Sequence, residues 1–331
     1  MAEAGKRKPL INWQLPMKRV LYGLVPVVLA AVYFFGWRSL AVIAVVSAAG
    51  FLTEFVFTRF TRAQVTSAVF VTSFLFALSM PPAVPLWIAV VGVAFGVLFG
   101  KMAFGGFGRN AFNPAMVGRA FVYVSFAVPM TARWVEPLTP AAGGALLPLP
   151  PGGFTRWAAD ALSAATPLRV LRGGGQVDVL RGLWGNVAGS MGETSALLVL
   201  IGGLYIVLKK AANWRIVVSD LGAFAILQTV LWSAGVRNAA DPLSALASGS
   251  VLLGAFFIAT DPVSASQTQP GRYLYGALVG VLTVLIRTFS LWPEGTHFAV
   301  LLGNTFAPII DYAVRQRQER SKRRAATVKA G

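Results

Sequence analysis

Leu40-Ala-Val-Ile-Ala-Val-Val-Ser-Ala-Ala-Gly-Phe-Leu-Thr-Glu-Phe-Val-Phe57 runs eighteen residues with a single charge, Glu54. Roughly 20 mostly apolar residues of helix are needed to cross a bilayer's hydrocarbon core. This run is one of about ten. The others cover residues 20–37, 65–80, 85–100, 114–128, 195–208, 214–234, 246–260, 273–289 and 297–314. Of the 331 residues 56% are hydrophobic and 12% are charged, about half the charged share of an ordinary soluble domain. The pattern predicts an all-α polytopic membrane protein with about ten transmembrane helices.

The same composition narrows the chemistry. There are no cysteines, which excludes disulfides, iron–sulfur ligation by this chain and thiolate catalysis. A single histidine, His297, rules out bis-histidine haem ligation, and the chain offers no metal-ligand set. No Gly-x-Gly-x-x-Gly follows a strand, so a nicotinamide nucleotide has no binding signature here. Electrons, if handled, travel on an organic cofactor.

Lysines and arginines set the orientation, because cytoplasmic loops hold them in excess. With both ends inside, the inner segments hold 20 of the 29 basic residues, the outer segments hold eight, and Arg119 lies within a span. The net charge of +17 is then largely a topological signature. The basic tail borders the anionic leaflet and points to lipids as neighbours, not to nucleic acid. This gives a basic cytoplasmic N-terminus (1–19), a first membrane half (20–128), an outer loop (129–194), a second half (195–314) and a cytoplasmic tail (315–331). The basic, polar start has no cleavable-signal character.

Two stretches echo one another across the halves. Phe76-Ala-Leu-Ser-Met-Pro81 and Asn110-Ala-Phe-Asn-Pro114 match Phe257-Ile-Ala-Thr-Asp-Pro262 and Asn304-Thr-Phe-Ala-Pro308. Two five-helix halves have opposite orientation, the inverted repeat of many transport folds; chance likeness between apolar segments is the alternative. Charges inside spans are costly, roughly 2.5–3.5 kcal/mol each on insertion scales. Arg119 and Asp220 are therefore expected to face the bundle interior, Glu54 and Asp311 to lie near the inner boundary, and His297 to be structural. Asn110 and Asn113 present amide edges suited to an isoalloxazine or a quinone; the competing reading is an asparagine-capped helix start after a glycine loop. The outer loop carries Asp160-Ala-Leu-Ser-Ala-Ala-Thr-Pro-Leu168 and closes with Gly189-Ser-Met-Gly-Glu-Thr-Ser195. That ending reads as an anion site at a helix start or simply as a cap.

The string resembles the NqrB/RnfD family over most of its length. The resemblance rests on Leu78-Ser-Met-Pro-Pro-Ala-Val-Pro-Leu-Trp87, Gly108-Arg-Asn-Ala-Phe-Asn-Pro-Ala-Met-Val-Gly118, Ala259-Thr-Asp-Pro-Val-Ser-Ala-Ser-Gln-Thr268, Pro293-Glu-Gly295 and Phe306-Ala-Pro-Ile-Ile-Asp311. It implies a membrane subunit of a sodium-pumping NADH:quinone oxidoreductase or of an Rnf complex, with the Asp-Pro-Val-Ser-Ala-Ser-Gln-Thr wording closer to the Nqr branch. It also implies FMN esterified through its phosphate to Thr166, within Ser163-Ala164-Ala165-Thr166, with Asp160 at the motif's acidic position. An ApbE-type flavin transferase attaches such a group outside the membrane. Further implied are a riboflavin near Asn110 and Asn113, a quinone contact at Gly50, and Glu54, Asp261 and Asp311 on a cation path. Three departures stand out. Alanine occupies the motif's glycine position at 164, Ala63-Gln-Val-Thr-Ser-Ala68 replaces an acidic segment, and the amino-terminal extension is short.

The expectation is a flavin-bearing subunit in the inner membrane, not catalytic alone. It passes electrons from an outer-side flavoprotein through covalent FMN and riboflavin to quinone, coupled to Na+ or H+ movement. The alternatives are the RnfD component of an Rnf-type ferredoxin:NAD oxidoreductase and a solute channel without redox role.

Overall fold

The computed structural model describes residues 9–61, 63–132, 134–138, 152–159, 165–173, 175, 177–290 and 294–330, with backbone alone at 324–330. A two-residue strand β1 (Ile11–Asn12) precedes α1 (Leu15–Phe35) and α2 (Arg38–Thr61). Strand β2 (Val65–Thr66) pairs in parallel with β1 and so ties the start of the chain to the end of α2. The first half continues with α3 (Ala68–Leu78), α4 (Leu86–Gly100) and α5 (Pro114–Ser125). Short helices α6 (Ala127–Thr131), α7 (Pro167–Arg172) and α8 (Val179–Trp184) follow. The second half has α9 (Ala196–Leu208), α10 (Trp214–Ser233), α11 (Pro242–Ala247) and α12 (Val251–Leu253). A π turn over Gly254–Ile258 extends α12, and α13 (Gln269–Phe289) and α14 (Thr296–Ala330) complete the chain.

Each of the ten apolar runs contains helix, yet only six helical segments among the described residues are long and apolar enough to cross a membrane: α1, α2, α4 with the turn that extends it to Phe104, α10, α13 and α14. Six of the ten expected spans are thus matched by helices of membrane-crossing length, and the other four runs form shorter or broken helix. The causes are local. After α3 come Pro81 and Pro82, which lack the N–H that a helix needs. Helix α5 ends at Phe126, and α9 stops before Lys209. The run through 242–258 breaks at Ser248–Ser250, where Gly249 takes a φ of +67°. At about 1.5 Å per residue, α3 and α9 fall short of a roughly 30 Å core.

Where these helices stop, their backbone still needs partners, because hydrocarbon offers none. Gly192 N donates to Leu78 O at 2.7 Å and Met191 N donates to Met80 O at 3.1 Å, so the segment entering α9 completes the end of α3. The halves also meet at their asparagines: Asn113 N donates to Asn304 Oδ1 at 3.0 Å.

The same packing order recurs in both halves. Helix α4 lies between α2 and α5, α13 lies between α10 and α14, and α1 packs on α9. In a membrane such contacts rest on close backbone approach between small residues. Gly92, Gly96 and Gly100 line one face of α4 against α5, where a Cβ on Gly96 would strike the Pro114 carbonyl and one on Gly100 would sit 2.8 Å from Pro114 Cα. Gly276 and Gly280 bring α13 onto α10 in the same way, against the backbone of Ile216 and Asp220.

Gly96→Leu is therefore expected to force α4 from α5 and cost about 1–3 kcal/mol or more of stability, read as a lowered unfolding temperature of the detergent-solubilised protein. Gly222, whose added Cβ meets nothing within 4 Å, provides the control: Gly222→Ala leaves the temperature unchanged or raised.

Candidate functional site

Two polar regions stand at opposite ends of the bundle. At the end that carries Lys18, Arg59 and Lys209, Glu54 is fully buried on α2. Its Oε2 accepts from Lys101 Nζ at 2.6 Å, and its Oε1 accepts from Thr66 N at 2.9 Å and Thr66 Oγ1 at 2.8 Å. Lys101 Nζ also donates to Thr66 Oγ1 at 2.7 Å. Every partner of this carboxylate is thus supplied by the fold, which locks the end of α4 to strand β2.

Beside this node lies a narrow cavity of about 50 Å³, lined by Lys101, Phe107, Asn110, Asn113, Thr260 and Asp261 among others. The loop leading to α5 turns on Gly105, Gly106 and Gly108, with φ of 97°, 94° and 88°, values that favour glycine. Asn113 then caps α5, its Oδ1 accepting from Ala115 N at 3.0 Å and Met116 N at 3.4 Å, while its Nδ2 donates to Ile258 O at 3.4 Å. Asn110 Nδ2 donates to Phe112 O at 3.1 Å. The capped helix start after a glycine loop is therefore present, and both amides have protein partners. Gly50 meets Ser73 and Val93 at a helix contact and lines none of these cavities.

The three acids expected on a cation path differ in setting. Asp311 accepts from Ser266 Oγ at 2.6 Å, Gln267 N at 2.7 Å, Thr268 N at 2.9 Å and Thr268 Oγ1 at 2.6 Å. It closes the loop that leads into α13. Asp261 accepts from Val263 N at 2.9 Å. It lines both the narrow cavity and a neighbouring one of about 410 Å³ that also presents Lys210, Arg215 and Arg272. Burial raises the Asp261 carboxyl above its ordinary value, opposed by the Val263 and Ser264 amides and by Lys101. Asp220 is buried on α10, and its Oδ2 has no partner among the described residues.

At the opposite end, Thr166 opens α7 with its Oγ1 accepting from Arg169 N at 3.4 Å. It is nearly buried and lines a cleft of about 730 Å³ together with Tyr123, Trp134, Arg169, Arg172 and Glu294. Asp160 and Ser163, the other expected members of this site, lie outside the described residues.

Behind the cleft is a polar group that sequence reasoning missed. Arg119, buried on α5 as expected, pairs with Glu294. His297 Nδ1 stands 3.9 Å from Glu294 Oε2, and His297 Nε2 stands 3.6 Å from Glu193 Oε1. One potential ligand atom from each of Glu193, Glu294 and His297 lies within 4.8 Å of the others. Burial, and after it the Glu294 carboxylate, pushes the Glu193 carboxyl up to about 8. Arg287 lies on the same side, its NH1 donating to Ala245 O at 3.1 Å and Ser248 O at 3.2 Å. The available signals were Glu193 and Glu294, each standing beside a glycine at the entry to a helix, and only the fold brings them together.

The sequence profile of the NQR2, RnfD, RnfE family matches residues 10–320. In Salmonella paratyphi A, the protein named as the D component of the ion-translocating oxidoreductase complex is 37% identical over 332 aligned positions, covering 91% of this chain and 92% of that protein. Proteins of the same name in Salmonella typhi and in Escherichia coli strain SE11 are 36% identical with the same coverage.

For the Glu54–Lys101 node, Lys101→Met is expected to cost about 3–5 kcal/mol by leaving a buried carboxylate unpaired. The double variant Glu54→Gln/Lys101→Met recovers most of that loss in a thermal melt, because nothing charged is then stranded.

Proposed function

The chain belongs to the NQR2, RnfD, RnfE family, and from that premise we propose that it is the flavin-bearing RnfD component of an Rnf-type ion-translocating electron-transport complex. It sits in the inner membrane with both termini cytoplasmic. The relatives are named as the D component, which favours the Rnf alternative over the Nqr assignment drawn from residues 261–268. The altered Ala63–Ala68 segment departs from the family's acidic pattern and counts against sodium coupling and the usual quinone contacts. On this reading the reducing equivalents are exchanged with ferredoxin or NAD partners through other subunits, and quinone contact at Gly50 is no part of it.

The observation that carries the proposal is the outer cleft. Its volume of about 730 Å³ lies within the range of small-molecule sites. Arg169 and Arg172 supply the positive charge that a phosphoester requires, Tyr123 and Trp134 supply flat apolar walls, and Thr166 supplies the hydroxyl. The residues present therefore fit FMN esterified to Thr166 by an ApbE-type transferase, and bound FMN supplies reversible uptake of one or two electrons. The chain's own part is to hold the phosphate, sheathe the ring and set buried charge beside it. A second flavin, riboflavin, is proposed for the cavity at Asn110 and Asn113; its narrow width means that the apolar walls must part to admit the ring.

For the coupled ion, H+ or Na+, Asp261 is the acid we assign to the path, since it alone of the three lines cavities. Glu54 and Asp311 commit their oxygens to the fold. Asp261→Asn is expected to cut ion-coupled electron transfer by the assembled complex at least tenfold while the covalent flavin stays in place. Wild-type coupling in that variant removes Asp261 from the path.

The attachment is tested by coexpression with a flavin transferase, followed by ultraviolet imaging of the denatured gel. The wild-type band fluoresces, and Thr166→Ala is dark. A dark wild-type band defeats the covalent-flavin reading, and a bright Thr166→Ala band moves the attachment elsewhere.

A further inference from the structure

Resting on the flavin reading of the outer cleft, we propose that Glu193, His297 and Glu294 form a proton relay that exchanges protons with the redox group held at Thr166. Glu294 is the contact point, because it lines the cleft beside Thr166 and also reaches inward to the histidine. The imidazole then bridges two carboxylates with one nitrogen toward each, Nδ1 to Glu294 and Nε2 to Glu193. Such a bridge moves a proton by accepting at one nitrogen while donating at the other.

Two further observations separate a relay from a structural joint. Buried polar atoms in native proteins are nearly always hydrogen-bonded. Yet Glu193 Oε1 and His297 Nε2, both fully buried, have no hydrogen-bond partner among the described residues and face each other across 3.6 Å. The hydroxyls of Thr194 and Thr296, next to them in sequence, are likewise without partners there. The Glu54 node, by contrast, uses comparable groups to saturate every bond. A pocket that leaves exchangeable groups in register but uncommitted is suited to transfer.

Charge decides the transferred species. The charged and titratable groups facing the trio are Arg119 from α5 and Arg287 from α13, with Tyr123 and Arg172 on the cleft side of Glu294. Arg119 and Arg287 balance the two carboxyl groups when both are ionised; with Glu193 protonated, as the relay requires before transfer, and the imidazole neutral, the pocket carries one net positive charge. A divalent metal ion would leave two uncompensated positive charges in a buried place, a heavy penalty, despite the ligand-like spacing. A proton changes the balance by one.

The step balances in electrons and protons. For each electron pair that reaches the isoalloxazine from the donor protein, Glu193 gives a proton to His297 Nε2, His297 gives one from Nδ1 to Glu294, and Glu294 passes it to the ring. Glu193 would thereby be left as carboxylate, having delivered one proton toward a group at Thr166 that takes up two electrons from the donor protein. Glu193 would regain a proton from solvent through Glu294 and His297, which resets the imidazole, and release of one proton on reoxidation would close the cycle.

The test uses the assembled complex after peptide mapping shows flavin on Thr166. In wild type, redox-difference infrared spectra are expected to show loss of a protonated-carboxyl band on flavin reduction, absent in Glu193→Gln. With a pH-indicator dye, proton uptake accompanying reduction slows at least tenfold in Glu193→Gln and in His297→Gln, while Glu193→Asp stays within threefold of wild type. Flavin-loaded Glu193→Gln with wild-type uptake overturns the relay. If that variant does not assemble, a wild-type spectrum without a carboxyl change overturns it equally. Stoichiometric metal that copurifies with wild type and is lost from His297→Gln overturns it in favour of a metal site. Absence of flavin from the Thr166 peptide is a separate result, which sinks the flavin reading and the relay with it.

Discussion

A guanidinium buried among apolar helices must be answered by a carboxylate, and the Arg119–Glu294 pair is that answer. It joins α5 of the first half to the entry of α14 in the second, across 175 residues of sequence. Removing either member strands a charge at a cost of about 3–5 kcal/mol, so the two halves are held to one relative placement at this end. The cleft lined by Tyr123 and Thr166 takes part of its wall from Glu294 of that pair.

The remaining architecture follows from the same scarcity of water. Short helices are tolerable only where another segment completes them, and the hydrogen bonds from Met191 and Gly192 to the end of α3 do this. At the basic end the counterpart is Asn304, which accepts from Asn113 N and donates to Ser264 O at 3.2 Å and Tyr275 Oη at 2.9 Å. Backbone that leaves helical form is thus enclosed by protein at both ends.

Much of this was legible in the chain. Continuous apolar runs located helix at every expected position, because a bilayer filters composition over some twenty residues at a time. The charges singled out as costly, Arg119 and Asp220, are interior for the same reason. Pairing was not legible: nothing in a linear pattern joins Glu54 to Lys101, 47 residues on, or His297 to Glu193. His297 stands near Glu294, three residues before it, and near Glu193 from a distant loop, and only the second of these neighbours needs the fold to bring it close. Helix ends were also misjudged, since apolar letters continue past Ser79 and Ser248 although prolines and a left-handed glycine stop the coil. Asp160 and Ser163 stand outside the described residues, so their part in the outer site rests on the sequence motif alone.

The widened turn at Gly254–Ile258, where Ala259 N reaches Gly254 O, governs how this segment tolerates change in length. One surplus residue in a turn rotates everything beyond it by roughly 100° about the axis. The azimuths of Thr260 and Asp261, and of the Ile258 carbonyl that accepts from both Asn113 Nδ2 and Asp261 N, are therefore set by a phase slip and not by ordinary pitch. Deleting a single residue between 254 and 258 would regularise the coil and swing the acid off the cavity wall, so a locally tidier helix would lose the lining that the present one provides.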